Sequence, residues 1–349
     1  MGLENGTVTN LAFPNLSREW IVAQRPPRTA SLDPFTPNGF FFEEERAASG
    51  HVVSSGTILL ANKECPWRCL MCDLWKNTLT RTVPRGAISK QIEFALARFG
   101  SLPEQLKLYN SGSFFDPAAI PVADYVDIAE KISFAKHVVV ESHPRLVGGK
   151  ACRLRDLLSG SLEVAMGLET IHPQVLPRLN KKFDPDHFAR AAELLRREGI
   201  AMRAFVLVKP PFLDDAEAIE WAVKSSAFAF DCGAGVVSLI PTRGGNGALE
   251  RLREAGDFAP PRLSVLERTF EQVLNLKRAR ATLSPSTPSP GRTSEGGALG
   301  GRGSNIRVFA DTWDLEAFSD CDACFEKRRQ RLRAMNLSQT ILPAIRCEV

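Results

Sequence analysis

Three cysteines within one short stretch, Glu64-Cys65-Pro66-Trp67-Arg68-Cys69-Leu70-Met71-Cys72-Asp73, form the densest group of soft donors in a chain of 349 residues and eight cysteines. Spaced Cys-x3-Cys-x2-Cys, their thiolates can converge from a single loop on an inorganic centre. Sulfur ligands select zinc, copper(I) or an iron–sulfur cluster. A closed zinc site needs a fourth ligand, and no His or Cys follows closely behind Cys72. An iron–sulfur cluster on three cysteines leaves one iron open for chemistry. The bland alternatives are a reduced, buried cysteine cluster, or a zinc site with a remote fourth ligand. Cys152, Cys232 and Cys347 are scattered singly and read as inert small residues.

The segment Gly56 to Asn62 reads as a buried strand running straight into the cysteine loop. From about residue 51 the chain alternates short apolar strands with amphipathic helices, the pattern of repeated βα units. Candidate strands are 57–62, 105–109, 137–141, 162–167, 204–208 and 236–240, with helices over 88–99, 122–132, 187–198 and 216–227. The expected fold is therefore α/β, a partial (β/α)6 barrel of parallel strands whose chemistry lies at the carboxyl ends of the strands. Those ends carry Asn110 to Asp116, Glu141 to Arg145, Gly167 to Thr170, Lys209-Pro210-Pro211 and Pro241 to Gly247. One such loop is ordinary cap chemistry. Five around one cluster point to a shared ligand site.

Residues 1–50 form an N-terminal extension interrupted by Arg25-Pro26-Pro27-Arg28 and a turn at Asn38-Gly39, with Phe40-Phe41-Phe42 expected to anchor it on the core. The core spans 51–280. Residues 281–305 read as a low-complexity linker, and 306–349 as a small C-terminal segment. That segment holds Cys321 and Cys324, a pair that could bind a second metal with Cys347 as third ligand. The basic run Lys327 to Arg333 reads as a solvated helix face or a phosphate-contacting stripe. A hydrophobic content of 44%, charged content of 24% and net charge of +4 suit a soluble enzyme and demand no anionic partner. Neither a membrane span nor a signal sequence is evident, so a cytoplasmic location is expected.

The cysteine loop, the Asn110 to Asp116 segment, Gly167-Leu168-Glu169-Thr170 and Met335-Asn336-Leu337-Ser338-Gln339 together resemble the radical S-adenosylmethionine superfamily. The likeness is to the branch of the Elongator catalytic subunit and the methylthiotransferases, which includes the radical subunit of archaeosine synthase; it covers roughly residues 51–345. It implies a [4Fe-4S] cluster on Cys65, Cys69 and Cys72, with S-adenosylmethionine chelated to the open iron and cleaved to a 5'-deoxyadenosyl radical. It further implies that Met71, at a position usually aromatic, packs near the adenine. Asn110, Ser111 and Gly112 would hold the amino group through backbone carbonyls, although the usual Gly-Gly-Glu-like form is absent. By the same resemblance Glu141 meets the ribose or the carboxylate, Lys181 meets the carboxylate, and Glu169 serves as a catalytic group toward substrate or cofactor. Implied partners are an electron donor such as flavodoxin or ferredoxin, transfer RNA and a partner modification subunit.

The leading expectation is therefore modification of a transfer RNA nucleoside by bond cleavage. The alternatives are a protein, peptide or small-metabolite substrate on the same scaffold, and a non-catalytic electron carrier or iron sensor.

Overall fold

The computed structural model describes residues 16–28, 32–283 and 306–346. Eight strands form one sheet in sequence order: β1 (Gly39–Arg46), β2 (Val52–Leu59), β3 (Gln105–Tyr109), β4 (His137–Ser142), β5 (Ser161–Glu169), β6 (Ala201–Val208), β7 (Val236–Pro241) and β8 (Arg307–Ala310). Strands β2 to β8 run parallel, while β1 pairs antiparallel with β2. The α/β partial barrel expected from the sequence is thus present. It is widened by two strands: the Phe40 to Phe42 triplet lies in β1, and Arg307 to Ala310 adds a seventh parallel strand.

Period-two alternation sorts the strand residues onto two faces. Leu106 and Leu108, Val138 and Val140, Val164 and Met166, and Ala204 and Val206 point to the convex face, where they join one continuous core with the covering helices. Those helices include Ala87–Leu96, Pro185–Arg197, Asp215–Asp231 and Leu263–Leu283. The helix Pro185–Arg197 starts at Asp184, whose side chain accepts the amide of His187, and Asp214 and Glu217 form a reciprocal capping box on Asp215–Asp231.

The concave face is charged. Glu45 accepts from Arg203 (2.6 Å), Lys107 (2.5 Å) and Gln105 (3.1 Å), and Glu163 accepts from Arg203 Nε (2.6 Å). Arg307 approaches Glu163 at 3.6 Å. All of these side chains are buried. Parallel strands covered on both faces normally read as unbroken apolar runs; here a buried ion network plugs the lumen. It also draws the sheet's edges together, since Arg203 of β6 reaches Glu45 of β1, and Arg307 of β8 donates to the Arg46 carbonyl at 3.2 Å.

The helix Leu263–Leu283 runs past the expected core boundary at 280, and the remainder of the expected linker lies outside the described residues. Among the described residues no helix is long and apolar enough to cross a membrane.

Candidate functional site

The cysteine loop leaves the sheet where β2 ends. The Leu60 amide still bonds the Tyr109 carbonyl (2.7 Å), and Gln91 brackets Ala61 by accepting its N–H (2.7 Å) and donating to its carbonyl (2.8 Å). The loop closes on itself through Leu79 N to Asn62 O (2.7 Å) and Glu64 N to Leu79 O (2.9 Å). Other strand-end loops then pin its interior. Asn180, beyond β5, donates to the Arg68 carbonyl (2.9 Å); Leu70 N bonds Leu179 O (2.9 Å); Asn246, beyond β7, donates to the Leu70 carbonyl (2.6 Å). Glu64 adds a clamp that the sequence reading missed, accepting Arg25 (2.6 Å), Arg28 (2.7 Å) and Arg68 (3.2 Å). Arg25 and Arg28 also lie over the Trp75 ring. An acid flanked by the loop's own Arg68 and an Arg-Pro-Pro-Arg stretch was the available signal.

Burial pushes all three thiols up, Cys72 to about 12, although Lys181 pulls against burial at Cys65 and Cys69. Neutral thiols in such surroundings become good ligands once a cationic centre replaces their protons. Three thiols on one loop, with no fourth His or Cys close behind them, are a donor set that suits an iron–sulfur cluster with one open iron.

Around the cysteines the structure gathers the other residues nominated from the sequence. Lys181 and Glu169 form a buried ion pair. Burial disfavours the ammonium, but Glu169 and the thiols of Cys69 and Cys65 hold its pKa above the ordinary lysine value. Glu169 sits at a bulge in the β5–β6 pairing with φ +63°, and a Cβ on Gly167 would overlap both charged groups. Glu141 turns its carboxylate onto backbone amides, accepting Asn110 N (2.5 Å) and Gly112 N (3.3 Å), so it shapes the loop expected to hold an amino group. Burial raises its pKa. Asn110 is buried with neither side-chain polar atom bonded, a vacancy in hydrogen bonding that fits a polar ligand. A Cβ at Gly112 would crowd Cys65 Cβ at 3.2 Å. Met71 is half-buried against the core.

Left-handed backbone concentrates on the same rim. Of the nine described non-glycine residues at positive φ, Arg68, Ser111, Glu169, Asn180, Lys182, Lys209, Phe212 and Asp314 all lie in the cysteine loop or at or beyond the carboxyl ends of strands. Strain of this kind persists where surrounding structure imposes it, and it clusters at ligand sites.

The C-terminal basic run is divided between two faces of its helix: Lys327 and Arg333 lie exposed, as a solvated face would, whereas Arg328 and Arg331 are turned inward. Arg328 pairs with Glu267 (2.6 Å) and Asp320, and Arg331 with Glu271 (2.6 Å) and the carbonyls of Leu342 and Pro343. Both are buried. They dock the helix Asp322–Ser338 onto Leu263–Leu283 and face neither solvent nor a phosphate, because the register of the run places them on the packed side. Cys321 caps that helix and Cys324 lies one turn inside it; Cys347 falls outside the described residues.

No family model matches the chain. An uncharacterised protein of Methanocaldococcus jannaschii is 26% identical over 232 residues, 62% of this chain and 64% of that protein. Archaeosine synthase subunit beta of Methanosarcina acetivorans is 29% identical over 226 residues, 60% of this chain and 64% of that protein. The chain thus spans under two thirds of the length of these relatives. Among solved structures, queuine lyase from Clostridium spiroforme bound to SAM and queuine aligns over 58% of this chain and 80% of that one, with 18% identity and a TM-score of 0.43. The motif resemblance to the archaeosine synthase branch agrees with the relative named archaeosine synthase subunit beta.

Proposed function

We propose that this chain is a radical S-adenosylmethionine enzyme that modifies a nucleoside of transfer RNA in the cytoplasm, by a bond cleavage of the kind that archaeosine formation requires. The observation that carries the enzyme class is the cysteine loop, fixed from two other strand-end loops above a polar lumen. The choice of nucleoside rests on the relative named archaeosine synthase subunit beta. Cys65, Cys69 and Cys72 would hold a [4Fe-4S] cluster which, when bound with S-adenosylmethionine and given an electron by a donor such as flavodoxin or ferredoxin, supplies a 5'-deoxyadenosyl radical.

The chain's own residues do the rest. Lys181 offers a cation for the cofactor carboxylate, and Glu169 holds that ammonium in place. Asn110 offers an unpaired amide, and Glu141 fixes the backbone of Asn110 to Gly112. Met71 supplies a polarisable apolar contact. The buried ion network below closes the lumen against water from the amino end.

A small metabolite or peptide substrate is the second reading. It is favoured by Arg328 and Arg331, which are committed to internal ion pairs and so are lost to phosphate binding.

The test is anaerobic reconstitution with iron and sulfide, then dithionite and S-adenosylmethionine, with 5'-deoxyadenosine measured with and without bulk transfer RNA and Cys69→Ala as control. Formation that rises with transfer RNA and vanishes in the variant is expected. Formation indifferent to transfer RNA moves the assignment to the second reading, and none from a fully loaded cluster under either condition overturns the class.

A further inference from the structure

Residues 16–28 lie against the cysteine loop as a strap. Ser17 caps its short helix, Arg18–Ala23. The buried Ile21 of that helix joins Leu70 of the cysteine loop and Leu249, Leu252 and Phe258 in a hydrophobic cluster separate from the main core, and Met71 packs against both clusters. Past the helix, Arg25 (2.6 Å) and Arg28 (2.7 Å) grip Glu64, and Arg28 also donates to the Thr78 carbonyl.

The strap is held by side chains. Its backbone hydrogen bonds are internal, from Ile21 to Ser17, Gln24 to Trp20 and Arg25 to Val22, and among the described residues no backbone-to-backbone bond joins 16–28 to the rest of the chain. A segment secured in this way opens at a lower free energy than the hydrogen-bonded strands. One buried isoleucine keeps it seated by a factor of about ten to a hundred.

Gly247 shows how closely the strap is seated. It lies beyond β7 at φ +85°, and a Cβ there would overlap the Gln24 carbonyl. Its neighbour Asn246 donates to the Leu70 carbonyl (2.6 Å). Strap, β7-end loop and the Cys69 to Cys72 half of the cysteine loop are therefore packed as one unit, and moving the strap removes support from that half.

We propose that residues 16–28 are a positioning clasp for the cofactor site. Seated, the clasp fixes Leu70 and Met71 between Cys69 and Cys72, which retains the iron and sets the affinity for S-adenosylmethionine; unseated, it opens the loop to solvent. The cofactor role rests on the enzyme reading above.

Two glycines flanking one helix, Ala248–Glu254, supply a matched test. Gly256 has nearly the same φ as Gly247, +82°, but a Cβ on it meets nothing within 4 Å. Gly256→Ala thus carries the backbone strain of Gly247→Ala without displacing the strap. In the full chain, iodoacetamide labelling of the apoprotein is mapped to the peptide bearing Cys65, Cys69 and Cys72, with Cys152 and Cys232 as internal references and thermal melting to confirm folding. After reconstitution, iron release to a chelator and equilibrium dialysis of S-adenosylmethionine are measured on the same variants.

Gly247→Ala and Ile21→Ala are expected to speed labelling of the cysteine loop and iron release about tenfold and to weaken S-adenosylmethionine binding, while Gly256→Ala matches the unmodified chain and the reference cysteines keep their rates. Equal labelling in Gly247→Ala and Gly256→Ala overturns the proposal, as does a rise shared by Cys152 and Cys232, which reports general loosening. Faster labelling with unchanged iron release and S-adenosylmethionine affinity also overturns it. If the unmodified chain holds no cluster after reconstitution, the enzyme reading and the cofactor role fall, and labelling of the apoprotein alone decides whether the strap clasps the loop.

Discussion

Trp67 lies flat on His143, with ring centroids 3.8 Å apart and planes 7° from parallel. Both imidazole nitrogens are engaged: Nε2 donates to the Lys181 carbonyl (2.9 Å) and Nδ1 accepts the Arg145 amide (3.2 Å), which fixes a neutral tautomer. Burial, reinforced by the charge of Lys181, holds the His143 pKa down at about 3. Trp67, between Cys65 and Cys69, two of the proposed cluster ligands, is thereby fastened to the backbone of Lys181.

Removing that fastening should loosen the loop before it unfolds the barrel. Trp67→Ala is expected to cost about 1 kcal/mol of stability and to lower the iron and sulfide retained after anaerobic reconstitution and desalting. Trp67→Phe should recover most of the retained cluster. Full cluster content in the alanine variant would show that the stack does not position the loop.

The Glu169–Lys181 pair allows cofactor binding to be separated from structure. Lys181→Met leaves a carboxylate buried without its partner and is expected to lower stability by about 3–5 kcal/mol, read from the urea midpoint of the apoprotein. Adding Glu169→Gln should restore much of that stability, because the orphaned charge is gone. The double variant should still bind S-adenosylmethionine poorly in equilibrium dialysis of the reconstituted protein. Wild-type affinity in the double variant would reduce Lys181 to a structural role.

Acid should attack the lumen. Burial works against the charges of Glu45 and Glu163, but Arg203 outweighs it at both, helped by Lys107 at Glu45 and by His137 and Arg307 at Glu163; both carboxyls are held below the ordinary 4.5. Below that value the unfolded chain binds protons that the folded chain refuses, so this stability is complete above about pH 4.5 and is lost as the pH falls toward the depressed folded values. His143 adds to the slope in the same direction, between its ordinary 6.5 and about 3. Urea midpoints measured from pH 7 to about pH 3 should therefore decline, through His143 below about pH 6.5 and through the lumenal carboxyls below about pH 4.5. Arg203→Met should lose about 3–5 kcal/mol at pH 7 and show a shallower decline, since the cation that depresses both carboxyls is gone. An unchanged slope in that variant would place the acid sensitivity elsewhere.

The cysteine spacing and the succession of strands and helices were legible in the sequence because both are local. Three thiols on one loop stay within eight residues of one another whatever the rest of the chain does, and the convex apolar face repeats along each strand. The gathering of Asn110, Glu141, Glu169 and Lys181 around that loop was anticipated by position at strand ends, although Glu141 and Lys181 turned out to have protein partners of their own. Charges within strands at Lys107, Glu163 and Arg203 were visible as interruptions of apolar runs, and Arg307 as the first residue of one, but their meaning depends on curvature that brings β1 against β6 and β8. The role of Glu64 depends on where an N-terminal arm folds back, and that of Arg328 and Arg331 on which side of a helix is packed. Charge alone does not distinguish an arginine that awaits phosphate from one already paired with buried glutamate. Only tertiary structure decides, because the pairing partner lies about sixty residues away in the chain.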